Sequence, residues 1–199
     1  MQSVSSVPID ALTNDQPNDK RDTDANLIKR CKEGDTQSFR QLYLRHQQRV
    51  RSTIYQLCGT SSLDDLVQEV FLRVWKGLPK LRETSQFSTW LYRISWNVAS
   101  DQRRQFAQAY SQRQTLTNSL PVEQSAPDLM HLHYQDIVQR GLNELSFDHR
   151  AVLVLHDLED VPQKEVATIL SIPVGTVKSR LFHARTLMRQ FFQQQGVQL

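Results

Sequence analysis

The chain has 199 residues, 39% of them hydrophobic and only six of them Gly, which allows one or two domains with small cores rather than one large one. No apolar run approaches the roughly 18 residues of a membrane span, no basic-then-apolar leader opens the chain, and no stretch sustains strand alternation, so helix is favoured almost throughout. The net charge of +3 is unevenly spread: residues 25–113 hold fifteen basic and seven acidic side chains, and Val174 to Phe192 holds Lys178, Arg180, Arg185 and Arg189 with no acid, while residues 1–24 and 114–140 are net acidic, a pattern that suggests two contacts with a polyanion.

Residues 1–24 are rich in Ser, Asp, Asn and Pro and are expected to form a disordered tail. From Asp24 the pattern turns helical. Asp24 is placed to cap a helix that runs to about Glu33, where Gly34 stops it. A second helix starts near Asp35, carries Phe39, Leu42, Tyr43, His46, Val50, Ile54, Leu57 and Cys58 near helical spacing, and ends at Gly59. His46 reads as structural rather than as a ligand. Cys31 and Cys58 form no CxxC or His/Cys cluster and read as reduced, buried thiols of a cytoplasmic protein.

Ser62 and Asp65 form a candidate capping pair. Leu63, Leu66, Val67, Val70, Phe71, Val74, Trp75 and Leu78 then make a strong amphipathic stripe, closed by Gly77 and Pro79. The opposite face carries Asp64, Asp65, Gln68, Glu69 and Arg73. It is either a solvated face or a docking surface, and periodicity does not separate the two.

Lys80 to Gln86 is a polar loop, and Ser88 or Thr89 can cap the next helix. That helix, Phe87 to Arg104, is the most informative stretch. Trp90, Leu91, Ile94 and Val98 fall within one arc and form a core face. The opposite arc carries Tyr92 and Trp96 beside Arg103, with Arg93, Asn97 and Arg104 on one flank. Bases stack on flat rings, guanidinium groups neutralise phosphate and an amide can read a base edge, so this surface suits single-stranded nucleic acid. The alternative is a helix buried on both sides, with Trp96 packed on a neighbour.

Residues 105–130 are rich in Gln, Ser, Thr and Asn, with Pro121 and Pro127, and read as an extended linker. His131 and His133 lack a third ligand and make weak metal candidates. Tyr134 to Leu145 is one helix, and Ser146 with Asp148 starts another through Leu158. Pro162 suits a first helical position. A short helix, the connection Ser171 to Pro173 and a further helix from Val174 spell a helix-turn-helix. On its second helix Val177, Leu181, Ala184 and Met188 face the core, while Lys178, Ser179, Phe182, Arg185 and Arg189 face away. An exposed Phe among Lys, Ser and Arg fits a major groove; a solvated basic helix is the alternative.

LDDLVQEVFLRVWKGL (63–78), FSTWLYRISWNVASDQRR (87–104) and VPQKEVATILSIPVGTVKSRLFHAR (161–185) together resemble bacterial sigma-70-type factors. The small extracytoplasmic-function class, which keeps only regions two and four, is the closest. The resemblance implies an all-α fold of two small helical domains, a region-2-like bundle and a region-4-like helix-turn-helix, joined by a flexible linker. The boundaries are 1–24 for the tail, 25–113 for the first domain, 114–132 for the linker and 133–199 for the second. It implies that Asp64, Asp65, Gln68 and Glu69 dock on the clamp coiled coil of RNA polymerase. Arg93, Trp96, Asn97, Ser100, Arg103 and Arg104 would act on the minus-ten element and its melting, and Thr176, Lys178, Ser179, Phe182, His183 and Arg185 would read the minus-thirty-five element. Expected partners are core RNA polymerase and promoter DNA, with no cofactor, metal or small-molecule substrate. Such factors often also have an anti-sigma protein, which this chain does not name.

The chain departs from the family pattern at Leu81-Arg82-Glu83, where F-R-G is usual, at His183, where Arg is common, at Asp160, where Gly is usual, and at Gln163-Lys164, where S-Y is common. The function expected is promoter-specific initiation in a stress or envelope response, without enzymatic activity, since no phosphate loop, metal set or coupled acid/base pair is present. A DNA-binding regulator that forms no holoenzyme would explain the helix-turn-helix but not the aromatic-basic helix. A helical scaffold would explain neither basic face.

Overall fold

The computed structural model describes residues 22–59, 62–113 and 131–197, and all its regular structure is helical. Residues 1–21 of the N-terminal tail expected over 1–24, most of the expected linker and the side chains of His131 and His133 lie outside the described residues, whereas Asp22 to Asp24, expected within the tail, belong to the first unit, Asp22 pairing with Arg30 and Thr23 capping the first helix.

The first unit begins with α1 (Asp24–Lys32), packed against α2 (Thr36–Cys58). Thr23, not Asp24, caps α1: its side chain accepts from the Asn26 N–H at 3.3 Å. Asp24 instead sits in the first turn, where a carboxylate suits the helix dipole, and reaches across to Arg45 and to His46 Nε2 at 2.8 Å. The hydrogen bond from His46 holds the Asp24 carboxyl below its usual range, against the opposing effect of burial. His46 is a structural residue, but it is buried, edge-on to Phe87, rather than exposed or half-buried as its polar sequence neighbours suggest. Asp35 caps α2 by accepting from the Gln37 and Ser38 N–H groups, and Gly59, at φ 79°, ends it.

In α3 (Leu63–Gly77) the expected capping pair does not form. Ser62 is left-handed at φ 58° and its hydroxyl makes no cap bond; Asp64 and Asp65 serve the positive end of the helix instead. Leu66, Val67, Val70, Phe71 and Val74 are buried as the stripe predicts, but Trp75 is not core: it stands at the surface, edge-on to Phe39. The expected polar loop after α3 holds two short 3-10 turns, Leu78–Lys80 and Thr84–Gln86. The second runs directly into α4 (Phe87–Arg113), so Ser88 and Thr89 lie inside the first turn rather than capping it. Leu91, Ile94, Val98 and Ala99 of α4 close the bundle against α2 and α3.

The second unit holds α5 (His131–Glu144), α6 (Phe147–Leu153), α7 (Gln163–Leu170) and α8 (Val174–Gln194). Ser146 caps α6 by accepting from the His149 N–H. The helix expected through Leu158 changes to a π turn over Val154–Leu158, and Asp160 follows at φ 54°, the conformation that explains why Gly is usual there. Pro162 precedes the first residue of α7 rather than occupying it. Ser171, at φ 55°, makes the turn into α8. Val177, Leu181, Ala184 and Met188 are buried, and α8 packs on α6 and α7. The two units also touch: α7 packs along α4, and the π turn and α6 reach α2. Among the described residues no helix is long and apolar enough to cross a membrane.

Candidate nucleic-acid interface

The exposed flank of α4 is built by helical spacing. Arg93, Asn97 and Arg104 recur at i, i+4 and i+11, with Arg103 beside them, and all four are exposed. Trp96 and Ser100 are half-buried, and the buried Ser100 hydroxyl has no hydrogen-bond partner among the described residues. Tyr92, expected on this surface, is buried; burial first, and then the charge of Glu159, push its hydroxyl well above the ordinary tyrosine range.

The aromatic part of the surface is covered from the second unit. Trp96 stacks on Phe147 with centroids 4.7 Å apart and planes 19° apart, and the Arg103 guanidinium lies 4.8 Å from the same ring. Thr89 donates to Glu165 at 2.6 Å, and Arg93 reaches the Ser171 hydroxyl at 3.4 Å. Of the two sequence readings of α4, the packing of Trp96 on a neighbour is therefore seen in this conformation, while the cations and the amide of the flank stay exposed. The loop that departs from the family pattern, Leu81 to Glu83, lines a cavity of about 230 Å³ with Gln86, Trp90, Arg93 and Ile169.

The duplex-reading candidates on α8 lie on the outward face. Lys178, Ser179, Phe182, His183 and Arg185 are exposed, with Phe182 at 69%, and Thr176 is half-buried. The cations there are not equivalent. Arg185 makes two hydrogen bonds to Asp157, at 2.8 and 2.6 Å, which raise its pKa, and Arg180 pairs with Asp148 at 2.7 Å.

On α3 the four polar docking candidates divide. Glu69 accepts from Arg73 at 2.7 Å, and Arg73 also donates to Asp101 of α4 at 2.8 Å, so Glu69 belongs to a tie between two helices. Asp64 pairs with Arg51 of α2. Asp64 and Gln68 stand at the rim of an open, largely apolar groove of about 610 Å³, lined by Phe39, Tyr43, Val67, Phe71, Leu72 and Trp75. Sequence reasoning missed this groove. The available signal was Leu72, an apolar side chain outside the stripe, together with the position of Trp75 at the stripe's edge.

The Sigma-70 region 2 family profile matches residues 42–108, and the Sigma-70 region 4 profile matches residues 135–188. The ECF RNA polymerase sigma-E factor of Escherichia coli strain K12 is 32% identical over 175 residues, covering 82% of this chain and 91% of the relative. The sigma-E factor of Haemophilus influenzae is 29% identical over 181 residues, covering 86% and 96%. Two solved structures share the fold. CnrH, in complex with the cytosolic domain of CnrY, superposes with a TM-score of 0.66 at 23% identity, covering 86% of this chain and 98% of its own. The sigma factor RpoE of Bartonella quintana, in complex with the anti-sigma factor NepR, gives 0.65 at 24%, covering 78% and 96%. Both regions are matched in order, and a relative above 30% identity is covered almost end to end: the chain belongs to the extracytoplasmic-function class of the sigma-70 family, transcription initiation factors that bind core RNA polymerase and promoter DNA.

Proposed function

We propose that this factor separates the strands of the minus-ten element with α4, reads the minus-thirty-five duplex with α8, and docks on the polymerase clamp through the groove between α2 and α3. The observation that carries the reading is the α4 flank, where Arg93, Asn97, Arg103 and Arg104 are exposed along one side of Trp96. Each stacking step lost on opening costs about 1.4 kcal/mol. A base stacked on an aromatic side chain returns roughly 1–3 kcal/mol, so one or two such contacts offset a few steps. Ile94 and Val98 hold the helix on its bundle while its other side meets DNA. For docking, the apolar floor supplies the area and Asp64 and Gln68 supply the polar rim, with Asp65 and Glu69 on the same helix outside the groove. Cytoplasmic action in a stress or envelope response, under control of an anti-sigma protein, is part of the same proposal. It is supported by the class name of the curated relatives and by the anti-sigma partner of RpoE.

The test is open-complex formation with core polymerase, followed by permanganate reactivity of promoter thymines. Trp96→Ala with Asn97→Ala keeps polymerase and duplex binding but loses opening. On a promoter pre-melted by a mismatched bubble, much of the lost initiation returns, because the opening cost has already been met. A double variant that opens duplex promoters as well as the parent assigns Trp96 to packing alone.

A further inference from the structure

Glu159 is an acid placed where an acid is costly. It is 8% exposed, on the segment between the π turn and α7. A carboxylate leaves water without penalty only if donors replace the water. All three side-chain donors that reach it come from the other unit: Thr53 Oγ1 at 3.0 Å, Arg49 Nε at 3.2 Å and Tyr92 OH at 2.9 Å. The backbone that delivers it is irregular on both sides, with the π turn before it and the left-handed Asp160 after it. Such irregularities persist where the surrounding structure over-determines them, and they cluster at functional segments.

The consequence of this contact lies along α4. Thr89, Arg93, Trp96 and Arg103 each touch the second unit, through Glu165, Ser171 and, for the last two, Phe147. Three of them are residues assigned above to strand separation. Lys178, Ser179 and Phe182 of α8 remain exposed in the same conformation. Closure therefore covers the aromatic part of one DNA surface and leaves the other free.

We propose that Glu159 is the latch of a closed, self-masked state. In it the second unit covers the Trp96 stacking surface of α4 and leaves the duplex-reading face of α8 open; the masking rests on the reading of α4 given above. The chemistry suits a reversible latch. Arg49 stays half-exposed while Glu159 is buried, so their attraction is screened by solvent on one side and offset by the lost hydration of the carboxylate on the other, and Glu159 specifies how the units meet more than it strengthens the contact. On opening, the carboxylate regains water, and a partner that draws the units apart, as core polymerase does when each unit has its own binding site, meets little resistance.

The test compares the full chain with Glu159→Gln and with Tyr92→Phe, which weakens the same contact from the other unit. Small-angle scattering reports the separation of the units, and circular dichroism checks that each variant is folded. Fluorescence anisotropy reports binding to a mixed-sequence single-stranded oligonucleotide and to a mixed-sequence duplex. The parent is compact and binds single strands weakly; both variants are larger and bind single strands more tightly, with duplex affinity unchanged. If the parent is open one-tenth of the time, full release gains about tenfold. A Thr89→Cys, Glu165→Cys pair joined by a reducible bismaleimide stays compact and binds single strands only after reduction. An extended parent overturns the latch, as do folded variants that match the parent in both size and single-strand affinity. Variants that extend while neither they nor the parent binds single strands uphold the latch and overturn the reading of α4.

Discussion

Asp160 carries a cost that its neighbours impose. Its φ of 54° lies in the region that L residues avoid at about 1–2 kcal/mol, and Asp tolerates it better than most because its short side chain can hydrogen-bond locally. Asp160→Gly is expected to melt at or above the parent temperature, and Asp160→Val to lose about 1–2 kcal/mol, since a β-branched residue is the worst fit there. Thermal denaturation followed by circular dichroism gives the order; a Val variant equal to the parent would mean that the turn relaxes. Asp24 carries the opposite sign. Its folded pKa lies below the unfolded one, so its contribution is fully present above the unfolded value, near pH 4, and is lost as pH falls through the folded value. Asp24→Asn should therefore flatten the acid limb of urea-measured stability below about pH 5. An unchanged limb would show that the pair with His46 contributes nothing. Burial pushes the thiols of Cys31 and Cys58 up to about 11, so both are protonated and unreactive at neutral pH.

The two faces of α8 separate binding from folding. The stripe Val177, Leu181, Ala184, Met188 belongs to the core, whereas Lys178 and Phe182 have no packing duty. Lys178→Ala should weaken duplex binding on every sequence and lower the slope of log affinity against log salt by about one. Phe182→Ala should leave that slope unchanged and reduce discrimination among sequences, because an apolar contact with a thymine methyl releases no counterion. Identical salt slopes for Lys178→Ala and the parent would remove Lys178 from the phosphate contacts. Arg185 is a poorer reporter, since its removal also leaves Asp157 without its partner. In α3 the stripe forecast its buried side well and its surface less well. A helix beside a groove presents apolar residues to both, and periodicity counts Trp75 as core either way.

The two units couple through few contacts, and Phe147 is central among them. Its ring lies between Trp96 and Arg103. An aromatic pair contributes about 0.5–1.5 kcal/mol beyond its area, and an exposed cation over a ring about 0.5–1 kcal/mol. With Glu159 beside them, these contacts add a modest coupling to two units that each have their own core, as a latch that opens requires. Phe147→Ala removes about 1 kcal/mol of it and should lower the calorimetric melting temperature of the helix-turn-helix unit by roughly 4–8 °C. A melting temperature equal to the parent's would mean that the ring contributes nothing to the contact.

Helix content, most helix boundaries, the core faces of α2, α3 and α8 and the turn into α8 were legible in the sequence, because each depends on residues within a few positions: spacing every three or four, Asp35 and Ser146 as caps, Gly59 as a stop. The exposed cations of α4 were legible for the same reason. What needed the tertiary structure is whatever depends on residues far apart in the chain. Trp96 reads either as a free stacking surface or as packed on a neighbour until Phe147 is placed on it. Arg185 reads as a free cation until Asp157 takes it. Nothing in the local sequence singles out Glu159. Its donors lie 67 to 110 residues away, and no local pattern brings an acid to Arg49, Thr53 and Tyr92; only the packing of one helical unit on the other does.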